Sequence, residues 1–402
     1  MSVISIRRSI LALALAAAPL AHADGDEVVI GRRFTLQSKV LGEERAFWVH
    51  LPPGYEVGSA RYPVLYLTDA EAQFAHTAAT VDFLARNGRI PPLLVVAVGN
   101  TDRTRDLTPT RAKLPQPDGT LRDLPTAGGA DAFLDFFEQE LIPHVDRTWR
   151  TVAWRAFAGH SFGGLFGVHA FTARPQLFGA VLAVSPTLTW DDQLPVRRVR
   201  EFLKGRTSLN RTLVVTLGQE GERMQAGFEA LQSVLADAGA KGFEWAARQF
   251  LDEDHGSLVL LSHDFGLRRI FAGWRPPQDP ETGEVRASVD ELEAHYRGVS
   301  ERFGVRVQAP ENVVNLMGYA AMGRRQFEQA LAYFEYNRRN YPDSANVYDS
   351  LGEGLEAAGR LDAARASFEQ AVERGAKAKD PNLPFYRQHL DAVRKKLASP
   401  AP

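Results

Sequence analysis

The sequence predicts an α/β protein in which a mainly parallel sheet is covered by helices on both faces, followed by a small all-helical part. Three observations lead there. Short continuous apolar runs, Tyr62–Leu67 and 93–98 among them, have the composition of strands buried on both faces. Amphipathic stretches of helical period alternate with such runs as far as Trp274. Past Pro276 and Pro277 the chain turns helical and alanine-rich, and a 34-residue period appears. With 402 residues and 45% hydrophobic content there is room for two domains, one of them large.

Residues 34–51 alternate, with Phe47, Val49 and Leu51 on one side, and stop at Pro52-Pro53-Gly54, which reads as a strand pair at a sheet edge. The run Tyr62–Leu67 ends at Thr68-Asp69-Ala70-Glu71, and a helix over 74–87 leads to the strand 93–98. A polar loop, 101–113, follows and carries Arg103, Arg105, Arg111 and Lys113. A helix over 130–141 ends near Pro143. The strand 152–158 enters a glycine-rich turn and a helix over 165–173. Strands Ala180–Val184, 213–217 and 243–250 then alternate with helices 196–203, 223–238 and 257–271. The α/β part therefore spans 24–274, and 275–309 holds a linker and a helix. In 310–402, Val314, Met317, Gly318, Ala330 and Phe334 recur 34 residues on as Tyr348, Leu351, Gly352, Ala364 and Phe368. That is the period of the tetratricopeptide repeat, a helix hairpin that buries its apolar face only by stacking on a neighbour.

Residues 1–23 have the layout of a secretory signal: Arg7 and Arg8, an apolar core from Ile10 to Leu20, then Ala21-His22-Ala23 as a small-x-small cleavage site. An uncleaved anchor is the lesser reading, and no later segment is apolar enough to span a bilayer. Export implies a periplasmic or secreted protein. Without Arg7 and Arg8 the chain has 45 basic and 49 acidic residues, a net charge of −4, which gives no general attraction to nucleic acid. Cysteine is absent, which excludes disulfides, thiolate metal sites and a cysteine nucleophile. The histidines are scattered without metal-ligand spacing, and no glycine-rich loop followed by lysine is present to cradle phosphate; the expectation is no metal and no cofactor.

The chemistry-bearing stretch is Gly159-His160-Ser161-Phe162-Gly163, a G-x-S-x-G pattern at the end of a strand and the start of a helix. In such a nucleophile elbow the serine is exposed on a strained turn, and side chains two residues to either side would collide. The N–H of Phe162 sits where a helix N-terminus favours an oxyanion. A serine hydroxyl needs a base and a group to orient that base. In this class the order is serine, acid, histidine, each in a loop after a strand. The loop after 213–217 offers Glu220 and Glu222, with Glu220 favoured because it lies nearer the strand end. The loop after 243–250 offers His255. His263 and His169 fall inside helices and read as packed histidines. His160 fills the variable elbow position, turned away from the nucleophile. The second oxyanion donor is expected after Leu67, at the N–H of Glu71. The arginine loop reads equally as an internally paired loop or as the wall of an anion pocket. Trp190, after Ser185-Pro186, suits either a pocket for an aromatic group or the core.

These pieces, Tyr66-Leu67-Thr68-Asp69-Ala70-Glu71, the loop 100–109, Gly159 to Gly164, Ser185-Pro186, Glu220 and His255-Gly256-Ser257, resemble the putative-esterase family of α/β-hydrolases. That family groups siderophore trilactone, feruloyl and acetyl-xylan esterases with S-formylglutathione hydrolase and mycolyltransferases. The resemblance implies an α/β-hydrolase fold and a serine carboxylic-ester hydrolase acting on a small-molecule ester, with siderophore-type or other aromatic or anionic esters as candidates. It implies Ser161 as nucleophile, His255 as base, Glu220 as acid with Glu222 as the alternative, and the N–H groups of Phe162 and Glu71 as oxyanion hole. Asn100, Arg103, Arg105, Arg111, His160 and Trp190 are the candidates for the substrate pocket. Asp69-Ala70 departs from the family's usual Asp-Gly. The helical part resembles tetratricopeptide modules appended to some bacterial members, with partner docking, a lid over the site, or stability as its role. The alternative reading is a partner-binding repeat protein whose hydrolase fold is a scaffold.

Overall fold

A computed structural model describes residues 27–57, 59–115 and 120–398. The expected signal, 1–23, lies outside the described residues. An eight-stranded sheet forms the centre. Its strands are β1 (Arg32–Ser38), β2 (Glu43–His50), β3 (Tyr62–Leu67), β4 (Leu94–Val98), β7 (Thr151–His160), β8 (Ala180–Val184), β9 (Ser208–Leu217) and β10 (Lys241–Gln249), in the order β1-β2-β4-β3-β7-β8-β9-β10. β5 (Leu114–Pro115) and β6 (Leu121–Arg122) make a separate two-stranded ribbon. Within the eight-stranded sheet β1 and β2 pair antiparallel, as does β2 with β4, and the other pairings are parallel; β5 and β6 also pair antiparallel.

The apolar runs are explained by burial on both faces. Val64 and Tyr66 of β3 enter one core and Leu65 and Leu67 the other, and β4 divides in the same way. On the first face lie α3 (Ala130–Phe136), a π-turn (Phe137–Leu141), α4 (Ile142–Thr148), α5 (Phe162–Ala173), α6 (Trp190–Leu203) and α7 (Glu222–Ala236). On the second lie α1 (Ala70–Arg86) and α8 (Leu258–Ile270). Two elements differ from expectation. The helix expected to stop near Pro143 runs on to Thr148, because the π-turn widens the backbone just where proline cannot donate. The 101–113 loop contains a short helix, α2 (Arg103–Leu107), capped by Asp102, whose side chain accepts the Arg105 N–H at 3.0 Å.

The remaining helices are α9 (Val289–Phe303), α10 (Glu311–Gly323), α11 (Phe327–Asn340), α12 (Ala345–Ala357), α13 (Leu361–Ala378) and α14 (Leu383–Ala398). α10 packs on α11 and α12 on α13, and the period-34 glycines make the close approaches: a Cβ on Gly318 would enter the Phe334 ring, and one on Gly352 the Phe368 ring. The second core runs from α1 and α8 into α9, α10 and α11 without a break. At the junction the Trp154 ring lies 5.2 Å from Phe271 and 5.0 Å from Phe303. Arg302 donates to the Ile270 carbonyl at 3.1 Å and pairs with Glu244 at 2.5 Å. Trp154 and Glu244 belong to the early residues of β7 and β10, so the helices are seated at the end of the sheet opposite the Ser161 turn. A cleft of about 1710 Å³ opens beside this junction, lined by Tyr62, Trp154, Phe303, Leu316 and Tyr341 among others. The module is therefore remote from the carboxyl ends of the strands, and a lid over them is not what it forms. Among the described residues no helix is long and apolar enough to cross a membrane.

Candidate active site

Six polar residues stand just past the carboxyl ends of consecutive strands of the sheet, where open α/β sheets carry their sites: Asp69 after β3, Asn100 after β4, Ser161 after β7, Ser185 after β8, Glu220 after β9 and His255 after β10. Ser161 has φ 60 and ψ −114, a strained conformation for a residue with a Cβ. Its turn is closed tightly enough that a Cβ on Gly159 would meet the Gly163 carbonyl and one on Gly163 the Thr68 hydroxyl. The spacing of the motif is thus a steric requirement, and it presses the elbow against the β3–α1 loop. The N–H of Phe162 opens α5 and has no hydrogen-bond partner among the described residues, as expected for a first helical turn. The same holds for the N–H of Glu71 in α1.

The Nδ1 atom of His255 lies 2.7 Å from Oε2 of Glu220. The other carboxylate oxygen accepts the Gly218 N–H at 3.2 Å and the Ser185 hydroxyl. Burial works to raise the Glu220 pKa, but the hydrogen bonds from His255 and Ser185, the charge His255 can carry and the Gly218 N–H outweigh it and hold the carboxyl below its usual range. Glu222 starts α7 on the exposed surface and does not reach His255. The acid and histidine loops are also joined directly, since the Gln219 N–H donates to the Glu253 carbonyl at 2.6 Å. Asp254 closes the histidine loop by accepting the N–H groups of Ser257 and Gly256, both at 2.8 Å, which lowers its own pKa. The His255 side chain is 45% exposed, and among the described residues no hydrogen bond joins it to the Ser161 hydroxyl. Contacts of this kind commonly close only when substrate is seated.

His160 is turned onto the histidine loop. Its Nε2–H donates to the His255 carbonyl at 2.6 Å, and the two rings are 4.6 Å apart. Burial, followed by the neighbouring His255 charge, pushes its pKa down to about 4, so it is neutral at pH 7. Asp69 gathers the other side. It takes up αL geometry with φ 56 and pairs with Arg103 at 2.6 and 3.1 Å; Asn100 Nδ2 donates to it at 2.8 Å. Arg103 also donates to the His160 carbonyl at 3.2 Å. A hollow of about 230 Å³ is bounded by Asp69, Glu71, Asn100, Arg103 and His160.

Three pocket candidates do not line that hollow. Arg105 is held by Asp106 at 2.7 Å and Glu43 at 2.5 Å, in a network that includes the buried Arg45–Asp106 pair. Arg111 is exposed and apart from it. Trp190 is 2% exposed, donates to Thr110 at 3.0 Å and packs edge-on against Phe162, so it belongs to the core. Of the two readings of the arginine loop, internal pairing describes Arg103 and Arg105. Asp69 and Ser185 had no role in the sequence reading, although their position immediately after a buried strand was the available signal. Among the described residues one group of metal-ligand type comes together, Asp349, Glu353 and His389 in the helical part. Its members have protein partners: His389 Nδ1 is 3.0 Å from both Asp349 oxygens, and Glu353 accepts the Tyr319 hydroxyl.

The fold, with Ser161, Glu220 and His255 past the carboxyl ends of its strands, defines an α/β-hydrolase. Residues 38–242, half of the chain, match the putative esterase family, and the chain belongs to it; it is a carboxylic-ester hydrolase. Among its relatives is the ferri-bacillibactin esterase BesA of Bacillus subtilis, 28% identical over an alignment of 247 residues that covers 56% of this chain and 85% of that one. The siderophore enterobactin esterase of Emericella nidulans is 30% identical over 239 residues, covering 48% of this chain and 77% of the relative. An IroE-like serine hydrolase from Shewanella oneidensis superimposes with a TM-score of 0.67 at 27% identity, covering 77% of this chain and 99% of that one. A structure from Capnocytophaga ochracea, 14% identical, has the same fold over 91% of this chain and 99% of its own, with a TM-score of 0.59.

Proposed function

We propose that the chain is a serine esterase that cleaves siderophore-type esters through an acyl-enzyme. The observation that carries this reading is the Glu220–His255 pair at 2.7 Å, presented beside the strained Ser161 turn. His255 takes the Ser161 proton as Oγ attacks the ester carbonyl; the oxyanion forms against the N–H groups of Phe162 and Glu71. His255 then returns the proton to the leaving alcohol, and water, deprotonated by the same imidazole, releases the acid and regenerates Ser161. Glu220 holds the imidazole tautomer and stabilises the imidazolium. The substrate class is supported by the relatives, whose names describe a ferri-bacillibactin esterase and a siderophore enterobactin esterase. Export to the periplasm or beyond is supported by the layout of residues 1–23, and a protein-docking role for the tetratricopeptide-like helices by their 34-residue period.

The test compares wild type and Ser161→Ala on p-nitrophenyl butyrate and on a panel of siderophore and feruloyl esters. Loss of hydrolysis in the variant and the highest kcat/KM on a siderophore ester are expected. Equal rates would return the chain to the partner-binding alternative.

A further inference from the structure

We propose that Ser185 is a positioning residue for this hydrolysis: its buried hydroxyl donates to Oε1 of Glu220 and so aims Oε2 at the Nδ1–H of His255. The inference rests on the serine-esterase reading above. Ser185 is 0% exposed and follows β8 with φ 42, a conformation that glycine adopts without cost and serine does not. What serine adds there is its hydroxyl. The Ser185 N–H donates to the Thr216 carbonyl at 2.8 Å, which fixes the residue against β9, the strand that delivers Glu220.

A glutamate has one more side-chain torsion than an aspartate, so a carboxylate at its end needs a second anchor to keep one oxygen on the imidazole. Oε1 has two: the Ser185 hydroxyl and the Gly218 N–H at 3.2 Å. Ser185 Oγ also lies 3.0 Å from Nδ1 of His255. With its single proton given to Glu220, its lone pairs face the Nδ1–H. That arrangement stays satisfied whether the imidazole is neutral or protonated, because Nδ1 carries its proton in both states. No proton passes through Ser185.

A merely structural buried hydroxyl would cost stability when removed but would act independently of Glu220. The experiment measures kcat, KM and the pH profile of kcat/KM for Ser185→Gly, alone and combined with Glu220→Gln. Glycine suits the backbone and removes the hydroxyl, with both its bond to Glu220 and the lone pairs that face Nδ1–H. We expect kcat to fall about 10- to 100-fold, the worth of a hydrogen bond to a charged group, with KM changed by less than about twofold. The acid limb of the kcat/KM profile moves to lower pH, since a loosely held carboxylate stabilises the imidazolium less. In the Glu220→Gln background Ser185→Gly adds less than about threefold. Wild-type kcat with an unmoved acid limb, or an equal loss in the Glu220→Gln background, overturns the proposal. Should the glycine variant fail to fold, Ser185→Cys keeps a weaker donor; intermediate kcat and acid limb support the proposal, and wild-type values overturn it. An inactive Ser161→Ala beside a normal Ser185→Gly removes this inference alone, whereas a fully active Ser161→Ala removes the esterase reading with it.

Discussion

The Nε2–H of His160 donates to the carbonyl oxygen of His255 at 2.6 Å, so the elbow and the histidine loop are fastened to each other by the residue next to the serine. Because burial and the nearby His255 hold the His160 pKa at about 4, that donor stays neutral and in place through neutral pH.

This link predicts an acid sensitivity. A histidine free in the unfolded chain titrates near 6.5, so between about pH 6.5 and pH 4 the unfolded state binds the extra proton and the folded state does not. The contribution of His160 is complete above that window and is lost as pH falls through it, to the extent of about 3 kcal/mol. Urea midpoints at pH 7 and pH 4.5 should differ by less in His160→Gln than in wild type. An identical difference contradicts the assignment.

The glycine spacing of the elbow predicts a sharp contrast. Gly159→Ala places a Cβ against the Gly163 carbonyl, and we expect destabilisation of about 1–3 kcal/mol together with loss of esterase activity. Gly221, with φ −58 and open space around its Cβ position, is the control: Gly221→Ala should leave activity unchanged. Thermal melts and p-nitrophenyl butyrate rates distinguish the two.

Asp69 predicts a further effect. It holds Arg103 and Asn100, and through Arg103 the His160 carbonyl. Asp69→Asn keeps the shape but gives up the charge, and each charge-assisted bond lost is worth about 1.5–3 kcal/mol. Esterase kcat should fall about tenfold or more, with a smaller change in KM. An unchanged kcat would show that the β3–α1 loop keeps its place without the pair.

The helical module predicts stability without catalysis. Trp274 packs with Phe271, Tyr296 and Phe303 at the end of the sheet far from Ser161. Trp274→Ala should cost about 3–5 kcal/mol in unfolding free energy while kcat/KM on p-nitrophenyl butyrate at 25 °C stays at wild type. A changed kcat/KM in folded protein would tie the module to the site.

Much of this architecture was legible in the sequence because its strongest signals are local. β3, β4 and β8 are buried on both faces and therefore appear as unbroken apolar runs, and the elbow is written in glycines that sterics demand. What was not legible depends on which loops meet. Arg103 and Arg105 are alike in sequence, yet one faces Asp69 beside the elbow and the other Glu43 and Asp106 behind it. Glu220 is favoured over Glu222 in the sequence for lying nearer the strand end, but the bond that singles it out depends on how β9 and the histidine loop meet. Ser185 shows nothing in sequence of its bond to Glu220, which spans 35 residues. Where the repeats dock was equally hidden, since it is set by Trp154, Phe271 and Phe303 meeting across the chain.

Turnover through Ser161 leaves an acyl group on its hydroxyl. Rapid-quench mass spectrometry during p-nitrophenyl butyrate turnover detects that intermediate. A butyryl adduct is expected on the peptide containing Ser161, and neither adduct nor hydrolysis above background in Ser161→Ala. Wild-type hydrolysis by Ser161→Ala, or an adduct on another residue, would contradict turnover through Ser161.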